Sequence, residues 1–220
     1  MTFLVPLYIT GMVAVISVLI SLLFWRSGSI PGTEGWIEGS QLNPGMVYGL
    51  AGFLVYLGVQ SIATTFPFAL TLGATRRSFV GGTLLWAIIA SAFLAAVFAL
   101  LTMLELATSH WFTGFYIFDI NVLGAGDLAL LIPIVFLSTL SMLTIGGVFG
   151  ASWLRFGTRG PQLVAVGVAI VIIVALIIII PSAAAILTAF EAWWLAIAAV
   201  VAIALSSMGT SLLLRSAIVR

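Results

Sequence analysis

The sequence predicts an all-α, polytopic membrane protein with six transmembrane helices. Three observations carry this. Hydrophobic residues make up 63% of the 220 and charged residues only 6%, with no lysine anywhere. Apolar runs of about eighteen residues or more recur along the whole chain, each long enough to cross a hydrocarbon core of about 30 Å as a helix. The runs do not alternate as barrel strands do: "VAVGVAIVIIVALIIII" (164–180) is apolar all round. Backbone groups in lipid must be satisfied internally, which leaves helices as the spanning element.

Charged residues and Pro/Gly clusters mark the breaks. They place the helices near 3–25, 46–70, 79–104, 128–150, 162–180 and 192–214, in a single transmembrane domain over 1–220. The first run lacks a positive leader and a small-residue cleavage signal, so it reads as a first span and not as a removed signal peptide. Pro67 would bend or end the second helix, because proline lacks the N–H a helix interior needs. Six crossings put both termini on one side. If that side is cytoplasmic, the cytoplasmic segments hold Arg76, Arg77, Arg155, Arg159, Arg215 and Arg220, leaving only Arg26 outside. All six acids (Glu34, Glu38, Glu105, Asp119, Asp127, Glu191) then lie on or near the external side. The excess of arginine favours cytoplasmic termini in a cell membrane, although Arg26, directly after the first helix, points the other way.

Composition also excludes. With no cysteine, the chain forms no disulfide, thiol nucleophile or cysteine metal site. A net charge of +1 without a basic patch gives nothing to track nucleic-acid phosphates. There is no Gly-x-Ser-x-Gly and no His-Glu-x-x-His.

The stretch "TLGATRRSF" (71–79) sets two adjacent arginines between two apolar runs. An arginine at a bilayer centre costs roughly 2.5–3.5 kcal/mol on insertion scales, so the pair marks an exit from the membrane. The stretch reads as a very short cytoplasmic turn. Gly73 can take a positive φ at a helix end. Arg76 and Arg77 can serve as a topology anchor, bind anionic headgroups, or reach carboxylates or carbonyls of a partner, with Phe79 filling a pocket.

Three phrases resemble small permease subunits of ABC-2-type ABC transporters. "FPFALTLGATRRSFVGGTLL" (66–85) is similar to the segment joining helices 2 and 3 in that family, where a leucine-glycine-x-(Ser/Thr)-Arg-Arg-x-phenylalanine phrase is common. "GASWLRFGTRGPQ" (150–162) resembles the short loop between helices 4 and 5. "SLLLRSAIVR" resembles the family's closing tail, with Ser216 where a second arginine is frequent. The resemblance implies the membrane subunit of an ATP-driven exporter, working as a homodimer or paired with a similar permease. It implies a separate ABC ATPase subunit carrying ATP and Mg. The helix 2–3 turn, with Gly73, Thr75, Arg76, Arg77 and Phe79, would couple to that ATPase, and Arg155 and Arg159 would lie on a second cytoplasmic loop. If ATP drives it, the ATPase is another polypeptide, because a P-loop requires a lysine and this chain has none. It is therefore read as a non-catalytic subunit with no cofactor of its own. The alternatives are a secondary carrier and a non-transporting membrane anchor or regulator.

Other groups have two readings each. Trp111, Phe112, Phe115, Tyr116 and Phe118 recur at helix-like spacing, either as an interfacial aromatic belt or as an outer gate for a lipid-like substrate. His110 has no second histidine with which to share a metal. Glu105 ends helix 3 and Glu191 opens helix 6, so both read as interfacial acids, with a proton relay as the alternative. The segment over 182–191 can enter the membrane as a re-entrant piece. Small pairs at Gly45/Gly49, Gly146/Gly150 and Ser207/Ser211 permit close helix contact or dimerisation.

Overall fold

The computed structural model of the chain describes residues 4–182, 188, 191 and 193–217. Among these residues the secondary structure is helical, without strands. The helices are α1 (Leu4–Arg26), α2 (Glu34–Gln41), α3 (Gly45–Ala63), α4 (Thr65–Thr71), α5 (Arg76–Ala107), α6 (Leu128–Phe156), α7 (Arg159–Ile179) and α8 (Trp193–Arg215). Six stretches are long and apolar enough to cross a membrane: Leu4–Arg26, Glu34–Thr71, Arg76–Ala107, Leu128–Phe156, Arg159–Ser182 and Trp193–Arg215. The re-entrant segment expected over 182–191 falls mostly outside the described residues.

The helix ends differ from the sequence reading in ways that have physical causes. The second span is interrupted at Thr64, three residues before Pro67. The proline has no N–H to offer the Ala63 carbonyl. In the break, Thr64 Oγ1 donates to the Gln60 carbonyl at 2.7 Å and Thr65 Oγ1 to that of Ser61. The third span starts at Arg76, not 79, and runs on to Ala107. The fourth continues to Phe156, which takes Arg155 out of the expected loop and into a last helical turn. A short amphipathic helix, α2, precedes α3. Its Trp36 is buried while Glu34 and Glu38 stay exposed, and Glu34 in the first turn complements the helix dipole.

The chain packs as two compact units, Met1–Leu54 with Ala87–Leu140 and Val55–Trp86 with Ser141–Arg220. In the first, the Phe98 and Phe118 rings meet edge to face, 5.4 Å apart. Leu94 and Leu131 are fully buried there, and Val13 of α1 reaches the Gly49 backbone of α3. Asp127 starts α6, its Oδ1 accepting the Ala129 N–H at 2.8 Å, as an N-cap acid does.

The second unit has a small core of Ile62, Phe66, Ala151, Leu214 and Ala217. Here α3 and α6 come into backbone contact. A Cβ on Gly146 would fall on the Val55 carbonyl, one on Gly58 on the Leu143 carbonyl, and one on Gly150 would lie 3.0 Å from Ile62 Cβ. The Gly146/Gly150 pair thus serves close packing within the chain, the arrangement small residues four apart allow. Helix α7 is the opposite case. Its only buried residue is Gly160, against the Ser152 carbonyl, and its aliphatic side chains point outward along its length. For a spanning helix of mean hydropathy 3.6, hydrocarbon is a suitable environment on all sides.

Candidate functional site

The 72–79 turn is built from two caps placed back to back. Leu72 closes α4, and Gly73 follows with φ 83°. The Gly73 N–H bonds to the Leu70 carbonyl and the Ala74 N–H to that of Ala69, both at 3.0 Å. This is the Schellman pattern, which needs the left-handed residue that glycine supplies. Thr75 then opens α5 by accepting the Ser78 N–H on Oγ1 at 3.1 Å, while Ser78 Oγ donates to the Thr75 carbonyl at 2.9 Å. The glycine and threonine before the arginines therefore stop one helix and start the next.

Arg76 and Arg77 are the first two residues of α5, the positive end of a helix dipole, where cations are disfavoured. Arg76 resolves this by crossing to the negative end of another helix. Its Nη1 donates to the Leu214 carbonyl at 2.7 Å and the Arg215 carbonyl at 2.5 Å, and its Nη2 to Ala217 at 2.9 Å. The Leu214 and Arg215 carbonyls belong to the end of α8, where carbonyls lack helical partners, and Ala217 lies just beyond it. Phe79, expected to be free for a partner, packs on the Ile62–Phe66–Leu214 core and meets the Phe66 ring edge to face at 5.1 Å. What remains outward is Leu72, at 72% exposure, with Gly73, Thr75, Arg77 and Ser78.

The second arginine cluster is likewise outward. Arg155 lies 4.8 Å above the Phe156 ring, and Arg159 opens α7. Gly157, at φ 65°, turns the chain between them. Both arginines are exposed.

The aromatic segment is not the regular helix its spacing suggests. Ser109, His110, Trp111 and Phe112 all have φ between 51° and 62°, a left-handed turn that costs such residues roughly 1–2 kcal/mol each. Thr108 holds it, its carbonyl accepting the Phe112 N–H at 2.9 Å and its Oγ1 the Trp111 N–H at 3.2 Å. Beyond Gly114 the chain runs non-helically to Ile120, with Phe115, Ile117, Phe118 and Ile120 buried. Phe112 stays 86% exposed.

A buried non-helical backbone needs acceptors for its N–H groups, and Glu105 provides them. Its Oε1 accepts from Ile117 at 2.9 Å and Asp119 at 3.4 Å, and its Oε2 from Phe118 at 2.8 Å. Glu105 has no exposed surface, a burial that the sequence does not indicate. Nearby, His110 Nε2 meets Asp119 Oδ2 at 2.9 Å and the imidazole stacks on Tyr116 at 3.9 Å. Burial, then the Asp119 and Glu105 charges, push the Tyr116 phenol above its usual pKa. Glu191 accepts the Trp193 indole N–H at 2.5 Å in an exposed position.

Sequence reasoning missed both backbone clasps. A lone carboxylate ending a spanning helix just before a long aromatic segment was the available signal for Glu105. Nothing local marks Arg76 as the arginine that turns inward and Arg77 as the one that stays out. No protein-family model, curated protein or solved structure matches the chain, so the ABC-2 resemblance rests on its three sequence phrases.

Proposed function

We propose that this chain is the membrane-spanning, non-catalytic subunit of an ATP-driven exporter of the ABC-2 type, coupled through the 72–79 turn to a separate ATPase that holds ATP and Mg. The observation that carries the reading is the order of the three resembling phrases on six membrane-length helices. The geometry supports it by presenting Leu72, Arg77 and Ser78 on a base braced by Arg76, the form a docking element needs. Charge supports the orientation. The unit of Val55–Trp86 and Ser141–Arg220 holds every arginine but Arg26, and the other unit every acid but Glu191. With the helix ends that carry Arg76, Arg77, Arg155 and Arg159 cytoplasmic, the positive-inside rule is met. Both oxygens of Glu105 are occupied by backbone amides, which favours the exporter over a carrier that would use this acid as a proton relay.

Affinity purification in mild detergent tests the partnership. The expected result is stoichiometric recovery of a P-loop protein; repeated recovery of a lone, ATP-insensitive chain counts against it. Charge reversal then tests the turn. Arg77→Glu, which spares the Arg76 clasp, is expected to weaken ATPase binding at least about tenfold, near 1.4 kcal/mol, in protein that still inserts. Arg77→Lys separates bidentate docking from a mere positive anchor, because only the anchor tolerates lysine. Single cysteines at Ser78 and Thr158 are expected to resist an impermeant thiol reagent in intact cells, and those at Ser40 and Thr113 to react. Labelling at 78 with none at 113 inverts the topology and removes the coupling turn with it.

A further inference from the structure

The unit of Met1–Leu54 and Ala87–Leu140 contains a hollow of about 580 Å³ that neither the spans nor the 72–79 turn explains. That volume lies within the range of ligand sites, roughly 300–1,000 Å³. Its walls are unusual for so greasy a chain. Ser17, Ser21, Ser29, Thr33, Ser40, Asn43 and Tyr116 are among its lining residues, beside apolar ones such as Ile20 and Met46, and no charged residue is.

Several of these groups have hydrogen-bonding capacity to spare. Ser21 donates to the Ser17 carbonyl at 3.0 Å and Thr33 to that of Ile30 at 2.8 Å, which leaves their oxygens as acceptors. Asn43 Oδ1 accepts the Gly45 N–H at 2.9 Å, leaving the amide NH₂ as donor. No hydrogen bond among the described residues uses the hydroxyls of Ser17, Ser29, Ser40 or Tyr116. Gly35 and Gly39 of α2 lie one turn apart among the lining residues, and a Cβ on either meets nothing within 4 Å. Phe24, Trp36 and Tyr116 add aromatic surface. Trp36 is braced by its indole N–H on the Gly114 carbonyl at 2.6 Å.

A headgroup with a full charge would lose water here without gaining a counter-charge, which is costly. A ligand carrying many hydroxyls would meet both the spare acceptors and the spare donors, and its C–H faces would meet the aromatic rings. We propose that this hollow binds an uncharged, polyhydroxylated headgroup of the sugar or polyol class. The site stands apart from the exporter reading and does not depend on the ATPase.

The cysteine-free chain makes the test direct. Ser40→Cys, held in a sugar-free amphipathic polyacrylate polymer, is alkylated with N-ethylmaleimide in the presence of three probes: dodecyl maltoside, maltose, and dodecylphosphocholine, which has the same tail under a zwitterionic head. Dodecyl maltoside is expected to slow alkylation at least about fivefold, near 1 kcal/mol, and dodecylphosphocholine to leave it nearly unchanged. Ser78→Cys in the other unit is expected to show no such protection. Maltose protecting as well as the alkyl glycoside identifies a soluble sugar as the source; a requirement for the tail identifies a glycolipid, and either supports the headgroup chemistry. Gly39→Leu fills the hollow in a helical position with free space around it, and protection is expected to vanish in that background. Equal protection by the two alkyl probes, no protection by either sugar probe, or protection that survives Gly39→Leu would each overturn the proposal.

Discussion

The two units are each closed by one charged side chain, of opposite sign, on opposite backbone groups. In the unit of Val55–Trp86 and Ser141–Arg220, the Arg76 guanidinium gathers three carbonyls at and beyond the end of α8. In the unit of Met1–Leu54 and Ala87–Leu140, the Glu105 carboxylate gathers three N–H groups of the 117–119 segment. A helix C-terminus leaves carbonyls over, and a buried non-helical segment leaves amides over, so each unit recruits the charge its surplus requires. The packing differs as well. The arginine-closed unit brings helix backbones together at Gly58, Gly146 and Gly150, whereas the glutamate-closed unit carries an open hollow of about 580 Å³.

The largest effect is expected from breaking the carboxylate clasp. Glu105→Ala leaves three buried amides unpartnered, and losing hydrogen bonds to a charged acceptor is worth about 1.5–3 kcal/mol apiece, with incomplete additivity. Stability is expected to fall by about 3–4 kcal/mol, with Glu105→Gln, which keeps one acceptor oxygen, falling less. Thermal unfolding in detergent, together with new protease cleavage within 108–127, checks this. An unchanged midpoint in Glu105→Ala would show that the segment is held by its buried aromatics alone.

Overpacking the other unit comes next. Gly146→Leu drives a side chain into the Val55 carbonyl and is expected to cost about 1–3 kcal/mol. Gly167→Leu is the matched control on α7, where a Cβ meets nothing within 4 Å, and is expected to leave the unfolding midpoint unchanged. Equal losses at both positions would mean that the α3–α6 approach is not close in solution.

The arginine clasp is expected to be weaker than the carboxylate one, because Arg76 is only partly buried and water can replace it at the α8 carbonyls. Arg76→Ala is expected to lower stability by about 1–2 kcal/mol and Arg77→Ala to stay within about 0.5 kcal/mol. Equivalent behaviour of the two arginines in chemical denaturation would remove the distinction between the inward and the outward member of the pair.

The smallest effect concerns Tyr116, which lies near the carboxylate clasp. Its phenol is raised above the usual value by burial and by Asp119 and Glu105. For an acid with a raised folded pKa, the folded state holds the proton more tightly. The contribution is therefore complete below the unfolded pKa of about 10 and is lost as pH rises through the folded value. A gentle fall in thermal stability as pH rises from about 10 towards the folded value is expected in the native chain and should be shallower in Tyr116→Phe. Identical slopes would place the phenol outside the influence of the two acids.

What the sequence determined by itself is local. Six apolar runs, the interruption near Pro67 and the stop at Gly73 follow from hydropathy, a missing N–H and a left-handed φ, whereas the restart, read at 79, lies at Arg76. Each of these depends on a few neighbouring residues or on a sum over one helix. The role of the arginine pair was not legible in the same way, because Arg76 meets carbonyls 138 to 141 residues further along the chain. The burial of Glu105 was not legible either, because its position at a helix end is visible in sequence, whereas the fold of 115–119 back over it is not. The left-handed turn at 109–112 hid from periodicity for the same reason: the aromatic spacing is helical, but the backbone is directed by Thr108 and by the burial of Phe115, Ile117 and Phe118. Tertiary structure alone decided which buried polar groups would satisfy one another. That choice depends on distances between segments far apart in the chain, and a hydrophobic pattern sets which segments are buried without setting which of their polar groups meet.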